Sequence, residues 1–177
     1  MKILENLEHM DIRDNDKLIH GEGKTLLQEM KIQDYNRWRM ENLTIRPDFS
    51  GEIFSDLDLS GAYLNGVKLN KTNLSHCNLA KTNLVQADLV GADLEGANLS
   101  NALLMYCDMR ECSLINADLT RTNLMWANLQ NSDLTNSKIS RTNFVEANLT
   151  DAKVPKIDRT SAFLKFAKLD GTVWGLK

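Results

Sequence analysis

The stretch Ala87-Asp88-Leu89-Val90-Gly91-Ala92-Asp93-Leu94-Glu95-Gly96-Ala97-Asn98-Leu99 decides the architecture. Each block of five repeats one order: a small residue, an Asp or Asn, a Leu, then two further positions rich in turn formers. The register runs outward in both directions without a slip. Stepping by five from Phe49 through Phe54 and Leu59 to Leu149 and Val154 meets an apolar side chain every time, most often Leu. Two residues ahead of each lies a second series. Between Leu57 and Ala152 it departs from Ala, Cys, Ser or Thr only at Leu57 and Val67. A fixed period is a statement about architecture before it is one about any single residue.

A period of five suits neither regular element. Helices bury apolar groups at spacings near 3.6 and strands at spacings of 2. In a helix the Leu series would wind around every face, and in a strand successive members would point to opposite faces. A coil with five-residue sides buries them all, because each side turns its Leu and its small residue inward before the chain bends. The Asn and Asp ahead of the Leu, as at Asn73, Asn78, Asp88, Asp93, Asp118 and Asn123, bond nearby backbone and favour turns. Ser60-Gly61, Asn65-Gly66 and Ser100-Asn101 supply turn chemistry after it. Stacked coils would lie about 4.8 Å apart, the spacing of hydrogen-bonded strands.

The pattern Ala-(Asp/Asn)-Leu-x-x, as in Ala87-Asp88-Leu89, Ala92-Asp93-Leu94 and Ala97-Asn98-Leu99, resembles the pentapeptide-repeat family. The resemblance covers residues 47–177 and implies an all-β solenoid: a right-handed quadrilateral β-helix with four pentapeptides per coil, about six coils in this chain. The segment Trp38-Arg39 through Pro47-Asp48-Phe49-Ser50-Gly51 is similar to the lead-in of such repeats. The expected organisation is an N-terminal extension, 1–46, with a capping helix, followed by the β-helix, 47–177. The capping box Thr25-Leu26-Leu27-Gln28 predicts a helix from about 26 to 41 that contacts the coil through Leu26, Leu27, Met30 and Trp38. Trp38 and its neighbours are expected to cover Phe49 and Phe54, because an open first coil would expose backbone and core side chains.

Charge excludes several roles. The formal net charge is −3. Residues 1–47 carry 8 basic and 9 acidic groups, and residues 48–177 carry 13 and 15. Neither part has the basic excess of a nucleic-acid binder. No apolar run approaches the roughly 20 residues of a membrane span, and Glu5 and Glu8 fall where a secretory signal would hold its apolar core. A cytoplasmic location is expected. Cys77, Cys107 and Cys112 each occupy the small inward position, so they read as buried thiols in place of Ala. A Cys107–Cys112 disulfide would join adjacent sides of one coil and distort both. His9, His20 and His76 show no ligand spacing, so neither a metal nor a cofactor is expected. Gly23-Lys24-Thr25 lacks the earlier glycine of a phosphate-binding loop, since that position is Leu18. There is no Ser-His-Asp set, and the carboxylates are scattered over turn positions. The chain is read as a non-enzyme.

With twenty residues per coil, outward residues twenty apart stack in columns. After the centres Leu84, Leu104, Leu124 and Phe144 come Val85, Met105, Met125 and Val145, then Gln86, Tyr106, Trp126 and Glu146. Leu103 takes the usual Asn or Asp position. Leu103, Met105, Tyr106, Met125 and Trp126 should therefore meet on one face, with Phe163 and Phe166 further along it. A contiguous patch of this composition reads as an interface. A second column, Lys81, Asn101, Arg121 and Arg141, reads as a solvated edge on another face that resists aggregation. Near the end, Arg159 stands where a core Leu belongs, after Pro155, and a bulge is expected there. Trp174 with Val173 and Leu176 reads as a terminal plug or as part of an end-to-end homodimer contact, since the resemblance implies dimers joined through C-terminal coils.

The expected function is a non-enzymatic interaction scaffold that binds a protein partner, or itself, through Leu103, Met105, Tyr106, Met125, Trp126, Phe163, Phe166 and Trp174. The alternative implied by the resemblance is a DNA-mimic inhibitor or protector of a topoisomerase, gyrase. Charge opposes it: about 30 Å of duplex carries on the order of eighteen charges, and Asp88, Asp108, Glu111 and Asp151 share a face with Lys68, Lys71 and Arg110.

Overall fold

The computed structural model describes residues 21–156 and 161–175. From Asp48 onward the described chain is a ladder of parallel single-residue bridges, and every bridge joins residues twenty apart. They run from Asp48↔Lys68 through Leu103↔Asn123 to Asn148↔Lys168. One coil is therefore four pentapeptide sides. Each side contributes one bridge residue, the one before the core Leu. Its N–H reaches the coil below and its carbonyl accepts from that same coil: Leu103 donates to Thr82 O at 3.0 Å, and Leu84 donates to Leu103 O at 2.8 Å. A turn follows before the strand can lengthen.

The turn has the chemistry that the sequence predicts. The Asn or Asp Oδ1 accepts the N–H two residues on, as at Asp58 to Ser60 (3.0 Å), Asn98 to Ser100 (3.1 Å) and Asn123 to Met125 (3.2 Å). The second turn residue is left-handed from Gly51 to Asp151, with φ of 58° at Asn101, 58° at Arg121 and 59° at Asn131. Glycine serves there at positions such as Gly91 (φ 67°) and Gly96 (φ 65°).

Inside, the series from Leu59 to Leu149 is sealed from solvent, and the small series fills the space between neighbouring coils. Its hydroxyls and thiols also bond. Thr122 Oγ1 donates to Leu99 O at 2.7 Å, Cys107 Sγ to Leu84 O at 2.8 Å, and Cys112 Sγ to Leu89 O at 2.9 Å. Each ties one coil to the coil below. The three thiols are free and buried.

The N-terminal segment differs from the expected single helix. Residues 21–28 form α1, and Ile32–Glu41 form α2. Lys31 N–H donates to Leu26 O (2.9 Å) and Met30 N–H to Leu27 O (3.0 Å), while Met30 takes φ 55°. This pair of bonds is a Schellman termination, normally marked by glycine. Thr25 does not cap a helix start; its Oγ1 donates back to Gly21 O at 2.9 Å within α1. Met30 is exposed, so it is not a contact of the coil, whereas Leu27, Tyr35 and Trp38 are buried in one cluster with Phe49 and Phe54. Gly23 lies against Trp38; a Cβ there would sit 2.7 Å from the indole.

Side chains from this segment occupy the open edge of the first coil. Asn36 Nδ2 donates to Gly61 O (3.0 Å), and its Oδ1 accepts Tyr63 N–H (2.8 Å). One coil higher, the equivalent N–H of Asn83 goes to Ala62 O. Arg39 is buried and donates to Asn42 O (3.2 Å), Ile45 O (3.0 Å) and Asn65 O (3.1 Å). Arg46 Nε donates to Gly66 O at 2.6 Å.

The far end is built differently. The departure expected around Arg159 lies outside the described residues, as does Leu176. Bridging resumes at Asn143↔Phe163. Trp174 is 4% exposed, meets Phe144 edge-on at 6.2 Å and donates Nε1–H to Pro155 O at 3.0 Å. Leu164 and Leu169 are only partly buried. The N–H groups of Leu164, Phe166, Leu169 and Gly171 donate to no partner among the described residues. Among those residues no helix is long and apolar enough to cross a membrane.

Candidate interaction surface

Consider the side formed by residues 102–104 and its equivalents twenty residues away. It is bounded by a turn at 100–101 and a turn at 105–106. Its outward position carries Tyr63, Asn83, Leu103, Asn123, Asn143 and Phe163 up the stack. The second turn carries Met105-Tyr106, Met125-Trp126, Val145-Glu146 and Lys165-Phe166. Through these positions, from Tyr63 to Phe166, only Glu146 and Lys165 are charged.

The expected residues do converge here, with one exception. Leu103 (41%), Tyr106 (52%), Trp126 (41%), Phe163 (58%) and Phe166 (72%) are exposed, and Met105 and Met125 are half-buried beneath the ridge. Tyr106 and Trp126 stack face to face, 4.8 Å between centroids and 9° between planes. That separation is the coil spacing itself, so the rings lie across the solenoid axis and present their edges outward. Lys165 Nζ lies 4.9 Å from the Phe166 centroid. The exception is Trp174. Its indole is packed on Phe144 inside the last coil, because that coil has no successor to cover its core.

Tyr106, Trp126 and Phe166 hold φ of 60°, 59° and 61°. Bulky residues are disfavoured in this region, and glycine or asparagine is cheaper. Three large aromatics thus stand at the most strained position of the repeat while about two fifths or more exposed. Neither core packing nor turn geometry calls for them there.

One exposed member of the same face, Tyr63, was not anticipated. Stepping down by twenty from Leu103 reaches it through Asn83, so the signal was present in the register. The cationic column, Lys81, Arg121 and Arg141, occupies the turn at 100–101 and its equivalents, the corner between this side and the preceding one.

No catalytic chemistry assembles beside it. Among the described residues no group of His, Cys, Asp or Glu could hold a metal ion. Burial pushes the thiols up, Cys77 to about 11 and Cys107 and Cys112 to about 12, so they are poor nucleophiles. On the other faces four carboxylates are matched with cations, Asp48 with Lys68, Asp108 with Arg110, Asp118 with Lys138 and Asp133 with Lys153, whereas Asp88, Glu111 and Asp151 have no ion pair among the described residues. The hydrogen bond from Arg110 holds the Asp108 carboxyl below its usual range.

A family model described as pentapeptide repeats matches residues 58–96, 92–131 and 127–156, in eight copies. No curated protein matches the chain. Among solved structures, it is similar to a pentapeptide repeat protein of the Arabidopsis thaliana thylakoid lumen, at 29% identity over 64% of this chain and 70% of that one, with a TM-score of 0.38. It is similar to a pentapeptide repeat protein from Nostoc at 29% identity, covering 71% of this chain and 79% of that one, TM-score 0.30. QnrB1, a plasmid-mediated fluoroquinolone resistance protein, shares 20% identity over 70% of this chain and 67% of its own, TM-score 0.44.

Proposed function

The chain belongs to the pentapeptide-repeat family, whose members are right-handed quadrilateral β-helices, and from that premise we propose that it is a non-enzymatic scaffold that binds a protein partner through the aromatic side. The observation that carries this reading is the exposed Tyr106–Trp126 stack, continued by Phe166, at left-handed turn positions. Local strain of this kind is retained where something else depends on it. Exposed patches of Tyr, Trp and Met are typical of contact surfaces.

The division of labour follows. Residues 1–46 act as an extension that caps the first coil through Asn36, Arg39 and Arg46, and residues 47–177 form the binding column of about six coils. Free buried thiols fit a reducing compartment, which supports a cytoplasmic location. A homodimer through the C-terminal coils is supported by the N–H groups of Leu164 and Leu169, which have no partner among the described residues, but not by Trp174, which faces inward. The gyrase-directed, DNA-mimic reading stands second and gains little, because the net charge is only −3 and Lys68, Lys71 and Arg110 interrupt the face that carries Asp88, Asp108, Glu111 and Asp151.

The test is the double substitution Trp126→Asp with Met105→Asp. Native-lysate capture and solution mass should change while far-ultraviolet circular dichroism stays as in the wild type. Unchanged capture and unchanged mass would refute the proposal. A supercoiling assay with gyrase, with and without a quinolone, tests the second reading.

A further inference from the structure

The apolar ridge and the cationic column bound one and the same side, and this juxtaposition suggests what would lie between them. Arg121 and Arg141 are exposed and left-handed (φ 58° and 57°), and Lys81 continues their column one level beyond Asn101. None of the three has an acidic partner among the described residues. Elsewhere on the coils, Lys68, Arg110, Lys138 and Lys153 are paired, whereas Lys71 and Lys168 stand singly in other columns. Unmatched cations on one corner therefore run parallel to the Met105-Tyr106, Met125-Trp126 corner. Between them lie Leu103, Asn123, Asn143 and Phe163, all uncharged.

The dimensions favour one kind of occupant. Five residues of extended chain separate the corners, so they stand no more than about 16 Å apart. An α-helix with its side chains is about 10–12 Å across. Along the axis the coils repeat every 4.8 Å or so, and a helix repeats every 5.4 Å. Over the three steps from Leu103 to Phe163 the mismatch accumulates to only about 2 Å, within the reach of side chains. A helix laid along the solenoid would thus set one apolar residue per turn against one level of the ridge.

Resting on the reading of this side as a protein-contact surface, we propose that its occupant is an acidic amphipathic helix of the partner. The apolar stripe of that helix packs on Leu103, Met105, Tyr106, Met125 and Trp126. Its flanking Asp or Glu residues face Lys81, Arg121 and Arg141. A helix in a groove read at i, i+3, i+4 and i+7 is a known mode of recognition, and the cations fix its orientation and hasten encounter. A membrane surface is the weaker fit, since the cations occupy one border only and Glu146 stands in the opposite one.

The experiment uses the full chain against a displayed library of helices about 18 residues long, randomised at flanking positions around a fixed apolar stripe. Two variants run in parallel, Arg121→Glu with Arg141→Glu and Tyr106→Ser with Trp126→Ser. Glutamate is tolerated at this turn position, as Glu146 shows with φ 57°. The expected pool carries Asp and Glu on one flank, loses at least about tenfold in binding to each variant, and weakens as salt rises. A pool that needs Tyr106 and Trp126 but ignores the arginine reversal sinks the helix-charge inference and leaves the contact surface standing. A pool indifferent to Tyr106→Ser with Trp126→Ser, or no enrichment at all, sinks both. Sedimentation of the wild type with vesicles containing phosphatidylserine, abolished by the arginine reversal, replaces the helix with a membrane.

Discussion

Leu114→Ala tests the closed coil most sharply. Leu114 is fully buried, one coil above Leu94 and one below Leu134, and both of those are also sealed. The substitution removes three carbons' worth of buried surface, about 2 kcal/mol at about 0.8 kcal/mol per methylene. The cavity adds to this. Leu94 and Leu134 are pinned by ladder bonds, Leu94 to Ser113 O at 2.8 Å and Leu134 to Lys153 O at 2.7 Å, so they cannot collapse inward. The total should therefore fall at about 3–5 kcal/mol, the upper part of the range for Leu→Ala. Leu169 holds the same place in the repeat but is only partly buried in the last coil. Leu169→Ala should cost about 1–2 kcal/mol. Urea unfolding followed by circular dichroism reads both. With a slope of about 2 kcal/mol/M, the midpoints should drop by roughly 2 M and 0.5–1 M. Equal losses at the two positions, with unchanged slopes, would show that Leu114 is not enclosed between coils and would end the argument for this interior.

Several other outcomes follow from named contacts. Ala97→Leu should destabilise by about 1–3 kcal/mol in the same assay, because the small series leaves no room for another side chain. Arg39→Met keeps much of the aliphatic stem but leaves the carbonyls of Ile45 and Asn65 without their donor, while Asn42 O retains the Ile45 N–H. It should cost about 2 kcal/mol or more, with faster amide exchange in the first coil; unaltered exchange there would contradict the capping role. The thiols should resist alkylation at pH 8 in the native protein and all react in denaturant. Because the native Cys107 and Cys112 titrate near 12 and an unfolded thiol near 8.5, the unfolded state releases its protons first. Stability should fall as pH rises from about 9 toward 12; a triple Cys→Ala variant should lose the slope between about 9 and 10 and keep only the steeper part above it, where burial also holds the Tyr35 phenol protonated.

The interior was legible from the sequence because it is periodic. One register placed the core residues from Phe49 to Val154, the inward cysteines and the Asx turns, and each position depends only on its own pentapeptide and the coils beside it. The ends were less legible, since their residues answer to a missing neighbour. Nothing about Asn36 or Arg39 announces that they bond the open edge at Tyr63 and Asn65. Met30 ends α1 in a conformation that a glycine would have advertised. Trp174 reads from sequence as a terminal plug or as part of an end-to-end contact, and it turns in because the last coil, the one above Phe144, has no successor to cover its core. On the candidate side, stepping by twenty found Tyr106 and Trp126. It did not reveal that Arg121 shares their side, because columns give a residue's height and corner but the adjacency of corners requires the turns to be placed.

The twenty-residue ladder makes the interior indifferent to some changes that the surface cannot tolerate. Gaining or losing one pentapeptide between Cys107 and Arg121 would leave every leucine inward and every turn intact. It would also rotate all later residues by a quarter of the circumference. Trp126 would leave Tyr106 and come to rest over a neighbouring corner, and Arg121 would follow it around. A single indel on this scaffold can therefore rewrite its recognition while the inward register is kept, and only steps of four pentapeptides preserve the cross-coil pairs already made.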